Sequence, residues 1–366
     1  MAGAPDERDL QSEAAAAIPV TVLTGFLGSG KTTLLNALLA RADMGETAVL
    51  VNEFGEVGLD HLLVREAGED VVVLNSGCVC CSIRGDLVEA LRGLFRQRVM
   101  GEVPEFRRVV VETTGLADPA PIIHTLMTDL MLAHRFRLDG IVTTVDAALG
   151  AGQLDDHPEA VKQAAVADRI VLTKTDMADP AASRELQDRL RALNPAAPII
   201  AAVMGDVAPD RLFDAGLFDA AHKSPDVARW LNEEAYRDRD HGHDHEHDHG
   251  HDHGDDHGHP ADVNRHDDHI ASFCLTFERP LPWDSFAHCL DILLATKGRD
   301  LLRVKGILNV EGEDGPVVVH GVQHVFHPPV ALPAWPAGPR TSRIVFITRD
   351  LGRAAVEKVF LSLGVG

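Results

Sequence analysis

From Pro19 to about Val203 the chain alternates short β-branched runs with longer stretches whose apolar residues recur at helical spacing. The runs are Val20–Thr24, Ala48–Asn52, Val71–Leu74, Val109–Glu112, Gly140–Val145, Ile170–Thr173 and Pro198–Ala202. Helical patterns fit between several of them, as at Thr32–Ala40, Leu87–Gln97 and Ala181–Leu193. Strands that are apolar throughout and separated by helices predict an α/β fold, a mostly parallel sheet covered on both faces. The pattern stops at Arg237–His269, a run of His, Asp and Gly holding eleven of the chain's 20 histidines. It has almost nothing apolar to bury, which predicts a flexible segment. Beyond it, Ile270–Phe277 reads as a strand and Trp283–Leu294 as a helix. Leu302–Val310 and Val317–Val325 read as paired strands around the turn-forming Glu311–Gly315. Ile344–Thr348 reads as a further strand and Leu351–Leu363 as a closing helix, which together predict a small α+β unit. The expected organisation is a disordered tail over 1–18, a first domain over 19–236, the His-rich linker over 237–269 and a second domain over 270–366.

Charge narrows the class of partner. The 366 residues carry 34 Lys+Arg against 56 Asp+Glu, a formal charge of −22. That balance argues against nucleic acid or an anionic membrane, both of which attract basic patches. Hydrophobic residues make up 45% of the chain, enough for globular cores. The acidic, Ala-rich Met1–Ile18 lacks the basic start and apolar middle of a signal peptide. No run of about 18 apolar residues is present. Three of the five cysteines, Cys78, Cys80 and Cys81, fall within four residues, which disfavours a disulfide framework and suits a reducing compartment. A cytoplasmic protein is expected.

Gly25-Phe26-Leu27-Gly28-Ser29-Gly30-Lys31-Thr32 fits Gly-x-x-x-x-Gly-Lys-Ser/Thr, between a predicted strand and a predicted helix. Gly25, Gly28, Ser29 and Gly30 would wrap backbone N–H groups around phosphate oxygens, and the helix N-terminus adds positive potential. Lys31 is expected on the β- and γ-phosphates, Thr32 on Mg²⁺, and Thr33 beside them. At the end of another strand, Glu112-Thr113-Thr114-Gly115 supplies a carboxylate, and a glycine N–H for the γ-phosphate. Leu116 stands where a water-orienting glutamine would stand in Ras-like proteins, so slow intrinsic hydrolysis is expected. Thr173-Lys174-Thr175-Asp176 follows a further strand. Asp176 can accept the two donors of guanine, and the stem of Lys174 can lie over the base. Thr173 replaces the asparagine usual at the head of this motif, which leaves ATP open beside the favoured GTP.

Asn75-Ser76-Gly77-Cys78-Val79-Cys80-Cys81 also follows a strand, so it is expected on the sheet edge that carries the phosphate loop. Thiolates prefer borderline or soft ions such as Zn²⁺ or Co²⁺ over Mg²⁺. Cys78 and Cys80 can share one ion, with Cys81 nearby. Two or three thiolates leave a tetrahedral site incomplete, as befits an ion that must leave. A structural turn and a redox pair are the competing explanations of this cluster. Glu53, in Asn52-Glu53-Phe54-Gly55, could touch Mg²⁺ through water or give an oxygen to the thiolate-bound ion.

These motifs in this order resemble the CobW-type metallochaperone GTPases. The resemblance rests on Gly25–Thr33, Asn52–Gly55, Cys78-x-Cys80-Cys81, Glu112–Gly115 and Lys174-x-Asp176. It continues through the His-rich linker to Arg303-Val304-Lys305-Gly306 and His320-Gly321-Val322-Gln323-His324, covering nearly everything from Pro19 onward. It implies GTP-dependent delivery of zinc or cobalt to a client protein, with cobalamin biosynthesis among the pathways served. A passive His-rich metal store with a regulatory P-loop domain, and an ATP-using kinase, are the rival functions. The dense imidazoles of the linker suit metal capture better than catalysis. His320, His324 and His327 are expected as surface residues of a strand pair, and Cys274 and Cys289 as inert core residues.

Overall fold

The computed structural model describes residues 17–52, 71–76, 83–213, 269–335 and 339–365. Residues 1–16 of the expected tail, Glu53, Cys78, Cys80, Cys81 and all of the His-rich run but His269 lie outside them, whereas Ala17 and Ile18, expected in the tail, are buried, and Ile18 opens the first strand.

Seven parallel strands form the first sheet. They are β1 (Ile18–Gly25), β2 (Thr47–Asn52), β3 (Val71–Ser76), β4 (Arg108–Glu112), β5 (Phe136–Asp146), β6 (Arg169–Thr173) and β7 (Ile199–Ala201), in spatial order β3-β2-β4-β1-β5-β6-β7. Each sequence-predicted strand is present, extended or trimmed by one to four residues at its ends. Parallel pairing demands crossovers, and helices supply them: α1 (Lys31–Leu39), α2 (Ile83–Met100), α3 (Ala120–Thr128), α4 (Leu130–Arg135), α5 (Gly150–Asp156), α6 (Pro158–Val166) and α7 (Pro180–Leu193). The central strands β1, β4, β5 and β6 are buried on both faces. Val20, Val22, Val109 and Val111 pack with Leu91 and Leu94 of α2, while Val49, Val110 and Val171 pack with Leu34 and Leu35 of α1.

The second sheet is antiparallel: β8 (Ile270–Phe277), β9 (Leu301–Leu308), β10 (Val317–Val322), β11 (Val325–Phe326), β12 (Val330–Ala331) and β13 (Ser342–Arg349), with β11-β10-β9-β13-β8 in order and β12 paired to β10. Helices α8 (Trp283–Lys297) and α9 (Arg353–Ser362) cover one face, where Phe286, Phe346 and Phe360 sit in a fully buried cluster. The predicted α+β unit is therefore what forms.

The two sheets are not independent bodies. One apolar cluster holds Ile123, Val161, Ala164 and Leu190 of the first unit together with Leu302, Val322, Val325 and Ile347 of the second. A buried ion triad lies in the same interface. Asp168 Oδ1 accepts from Arg303 Nη2 and from Lys305 Nζ, each at 2.7 Å, and its Oδ2 accepts from the Ile141 N–H at 3.0 Å. The two cations hold the Asp168 carboxyl below its ordinary range despite its burial.

His320 and His327 depart from the sequence expectation. Rather than standing on the surface they are half-buried, with their rings tilted by 35° and their centroids 4.0 Å apart beside this triad. Desolvation lowers both, followed for His320 by the neighbouring His327 ring and for His327 by the Arg303 charge; His327 falls to about 4. They are neutral structural rings at neutral pH. His324 alone of the three is exposed. Cys289 is buried as expected, with its thiol pushed up by desolvation, whereas Cys274 is half-buried.

Candidate functional site

Parallel strands collect their C-terminal ends on one edge, and there β1 runs into the predicted phosphate loop. Gly30 is the N-cap of α1 and sits in the left-handed region at φ 91°. Ser29 does not turn its side chain toward a ligand. Its hydroxyl shares a 2.7 Å hydrogen bond with Thr144, its N–H donates to Phe26 O, and its carbonyl accepts from Thr173 Oγ1. Ser29 thus shapes the loop. Lys31 lies over it, with Nζ donating to Gly25 O at 3.0 Å and Phe26 O at 3.2 Å. That position is a cationic lid on a ring of backbone groups, suited to an oligophosphate.

Thr32 Oγ1 donates to Glu112 Oε1 at 2.9 Å. A hydroxyl and a buried carboxylate side by side are hard oxygen donors, the set that a Mg²⁺–phosphate complex takes. Beyond Glu112 the chain stays against the phosphate loop. Thr113 N–H donates to Leu23 O, and Thr113 Oγ1 donates to Thr24 Oγ1. Gly115 approaches so closely that a Cβ there would stand 2.7 Å from the Leu27 backbone nitrogen. Only glycine fits that contact. Leu116 is exposed and offers no polar group to a water.

A cleft of about 710 Å³ results, lined by the phosphate loop, Val51 at the end of β2, Glu112–Leu116 and Lys174. It lies in the size range of small-molecule sites. Among the sequence-predicted residues it brings together Gly28, Gly30, Lys31, Thr32, Thr33, Glu112, Gly115 and Lys174. Asp176 is exposed in the turn after β6.

The departure at Thr173 has a geometric explanation. Its hydroxyl donates to Ser29 O at 2.7 Å and lies 3.2 Å from Val145 O, so it ties the strand end of β6 to the phosphate loop. Lys174 follows at φ 54° and sends Nζ to Gly28 O and to Asp146 Oδ2, both at 2.7 Å. Asp146 was not legible beforehand. It is buried at the end of β5, accepts from the Ala148 and Leu149 N–H groups, and anchors Lys174 from below. The signal available was a lone acid closing an apolar strand, a position that strand ends often occupy without function.

The sequence matches the CobW/HypB/UreG nucleotide-binding domain over residues 19–201 and the cobalamin synthesis protein CobW C-terminal domain over 270–363. It is 32% identical over 346 residues to the zinc chaperone YjiA of Escherichia coli, spanning 94% of this chain and 98% of that protein. It is 29% identical over 377 residues to the zinc chaperone CobW of a Sinorhizobium species, spanning 94% and 97%. Its fold aligns with the crystal structure of Zn(II)-bound YjiA GTPase from E. coli at a TM-score of 0.65 and 29% identity, over 95% of this chain and 99% of that one. No described helix is long and apolar enough to cross a membrane. The strand order, the phosphate loop and the matched domain pair lead to one assignment: the chain belongs to the CobW family, and it is a P-loop GTPase.

Proposed function

We propose that the chain is a GTP-dependent metallochaperone that takes Zn²⁺ or Co²⁺ at Cys78, Cys80 and Cys81, with Glu53 as a further oxygen donor. It then passes the ion to a client enzyme as GTP is hydrolysed, in cobalamin synthesis or another metal-requiring pathway. The observation that carries this reading is the sheet order β3-β2-β4-β1. β3 ends at Ser76 on the edge where β1 enters the phosphate loop, and Cys78 follows two positions later in the sequence. Three strand spacings, about 14 Å, separate the ends of β3 and β1. Thiolates at the end of β3 would therefore sense phosphates through the intervening ends of β2 and β4. Those ends carry Asn52 and Glu112, with Val51 paired to Glu112 in register. The zinc chaperones named above support zinc as cargo, and the thiolate set suits cobalt as well.

In this mechanism Lys31 neutralises the β- and γ-phosphates, and the Gly115 N–H meets the γ-phosphate. Thr32 and Glu112 would hold Mg²⁺, which supplies charge neutralisation between the phosphates when bound. Glu112 and Gly115 occupy one short segment, so loss of the γ-phosphate releases that segment and, beside it, the end of β2. The ion's grip loosens as a result. Binding linkage makes the effect reciprocal: if GTP tightens the ion, the ion tightens GTP by the same factor. The His-rich run over 237–269 serves as a capture arm between the domains 19–236 and 270–366.

The test is competitive titration of Zn²⁺ and Co²⁺ with Mg²⁺ present and the nucleotide varied among none, GDP and a non-hydrolysable GTP analogue. The ion's Kd is expected to be lowest with the analogue. Cys80→Ala should keep GTP affinity and lose this nucleotide-dependent gain; an undiminished gain would remove the thiolate site. Deleting 237–268 should leave the gain in place, and its loss would favour a passive store.

Asp176 is proposed to read guanine. Asp176→Asn sets an amide donor against the base's donors. We expect GTP affinity to fall about 10- to 100-fold, the weight of hydrogen bonds to a charged group, with ATP affinity unchanged. Isothermal titration with both nucleotides checks this, and an equal loss for both would count against base reading.

A further inference from the structure

The phosphate-sensing segment does not end at Gly115; it is fastened to the C-terminal domain. Gln163 of α6 directs Nε2 at two carbonyls of the segment, Gly115 O at 3.1 Å and Ala117 O at 2.9 Å. Three residues after Gly115, Asp118 Oδ2 accepts from Gln323 Nε2 at 2.9 Å, and Lys162 Nζ of α6 lies 3.5 Å away. Asp118 Oδ1 accepts from the Ala120 N–H at the start of α3. Gln323 belongs to the other domain, 205 residues further along, in the two-residue turn between β10 and β11. It is buried and held at φ 53°, a backbone region that a glutamine seldom adopts. The next residue, His324, places its ring 5.7 Å from that of His124 on α3. A buried residue in a left-handed turn conformation thus delivers one amide to the carboxylate that ends the segment.

We infer that Gln323 is a positioning residue for GTP hydrolysis: through Asp118 it sets the approach of the Glu112–Gly115 segment to the γ-phosphate. The C-terminal domain thereby takes part in the nucleotide cycle. The inference rests on the GTPase activity and not on the metal site. Segment and turn are joined by a hydrogen bond, so whatever shifts one shifts the other, and the coupling runs both ways. A load on the β10–β11 turn would retune hydrolysis, and the γ-phosphate would move the turn.

Gln323→Gly separates positioning from scaffolding. Glycine adopts φ 53° without strain, so the substitution removes the amide while relieving the backbone. We expect kcat for GTP to fall about fivefold, the barrier equivalent of one hydrogen bond. KM and melting temperature should hold or, for the latter, rise. A residue serving only to hold the domains together would lower the melting temperature and leave kcat alone. Asp118→Asn combined with Gln323→Glu reverses donor and acceptor and should restore kcat, whereas Gln323→Glu alone sets carboxylate against carboxylate and should depress it. That single variant carries the same test if glycine unfolds the turn. Ser272→Ala is the control: it removes an interdomain hydrogen bond to Ala192 O on α7, away from the segment, and should leave kcat unchanged. An unchanged kcat in Gln323→Gly and Gln323→Glu, or an equal loss in Ser272→Ala, would overturn the inference.

Discussion

Lys31→Ala is expected to lower kcat/KM for GTP about a thousandfold while leaving the fold intact. Removing one fixed donor from an oxyanion-stabilising site typically costs a factor of about 10² to 10³. A full positive charge against a developing phosphate charge belongs at the upper end of that range. The structural loss is small by comparison. Lys31 Nζ makes hydrogen bonds to the carbonyls of Gly25 and Phe26. Such bonds are worth about 1 kcal/mol each in net stability, and removing the ammonium also ends the confinement of a buried charge. Turnover and chemical denaturation measured on the same preparation would separate the two effects. Turnover within tenfold of the parent would mean that Lys31 does not contact the transferred group.

Asp168→Asn is expected to be the most damaging substitution for stability, about 3–5 kcal/mol, the usual result of removing one partner from a buried ion pair. Arg303 and Lys305 would both lose this carboxylate in the interface. The deficit should depend on pH. Lys305 is already held down to about 8, chiefly by burial, with Asp168 pulling it back up. An unfolded lysine titrates near about 10.4, so above the folded value the unfolded chain holds more protons and stability rises with pH. Without the carboxylate Lys305 sheds its proton at lower pH still. The variant therefore begins its rise below about 8, and its deficit relative to the parent narrows as pH climbs toward that value. In the parent, Asp168 adds the same upward trend at lower pH. Its depressed carboxyl contributes stability that is full above about pH 4 and is lost on acidification. Urea denaturation at about pH 6 and about pH 8 reads the difference; a deficit that is constant or widens would remove Lys305 from the account.

The strand pattern was open to reading because parallel strands buried on both faces are apolar throughout. The helices between β4 and β6 were not. Pro119–Phe136 is apolar with few polar breaks, so no helical period stands out. The division into α3 and α4 is made by Asp129, whose side chain accepts from the Met131 and Leu132 N–H groups. The phosphate loop, Glu112, Gly115 and Lys174 were legible because their chemistry is written in consecutive residues. Asp146, Asp118, Gln163 and Gln323 were not, since each acts on a partner that only the tertiary fold supplies; Asp146 and Lys174, for example, are 28 residues apart. The partial burial of His320 and His327 was missed for the same reason. Alternation along a strand pair does not tell which face a second domain will cover.

The hydroxyl of Thr173 has a consequence for how relatives of this chain are found. What the position requires is a short side chain with one proton to give to a carbonyl of the phosphate loop. Asparagine meets that demand with an amide and threonine with an alcohol, and serine would as well. Aspartate would not, because it would set negative charge against oxygen. A sequence pattern that insists on the letter Asn discards proteins in which this tie between β6 and the phosphate loop is intact, whereas one defined by the donated proton retains them.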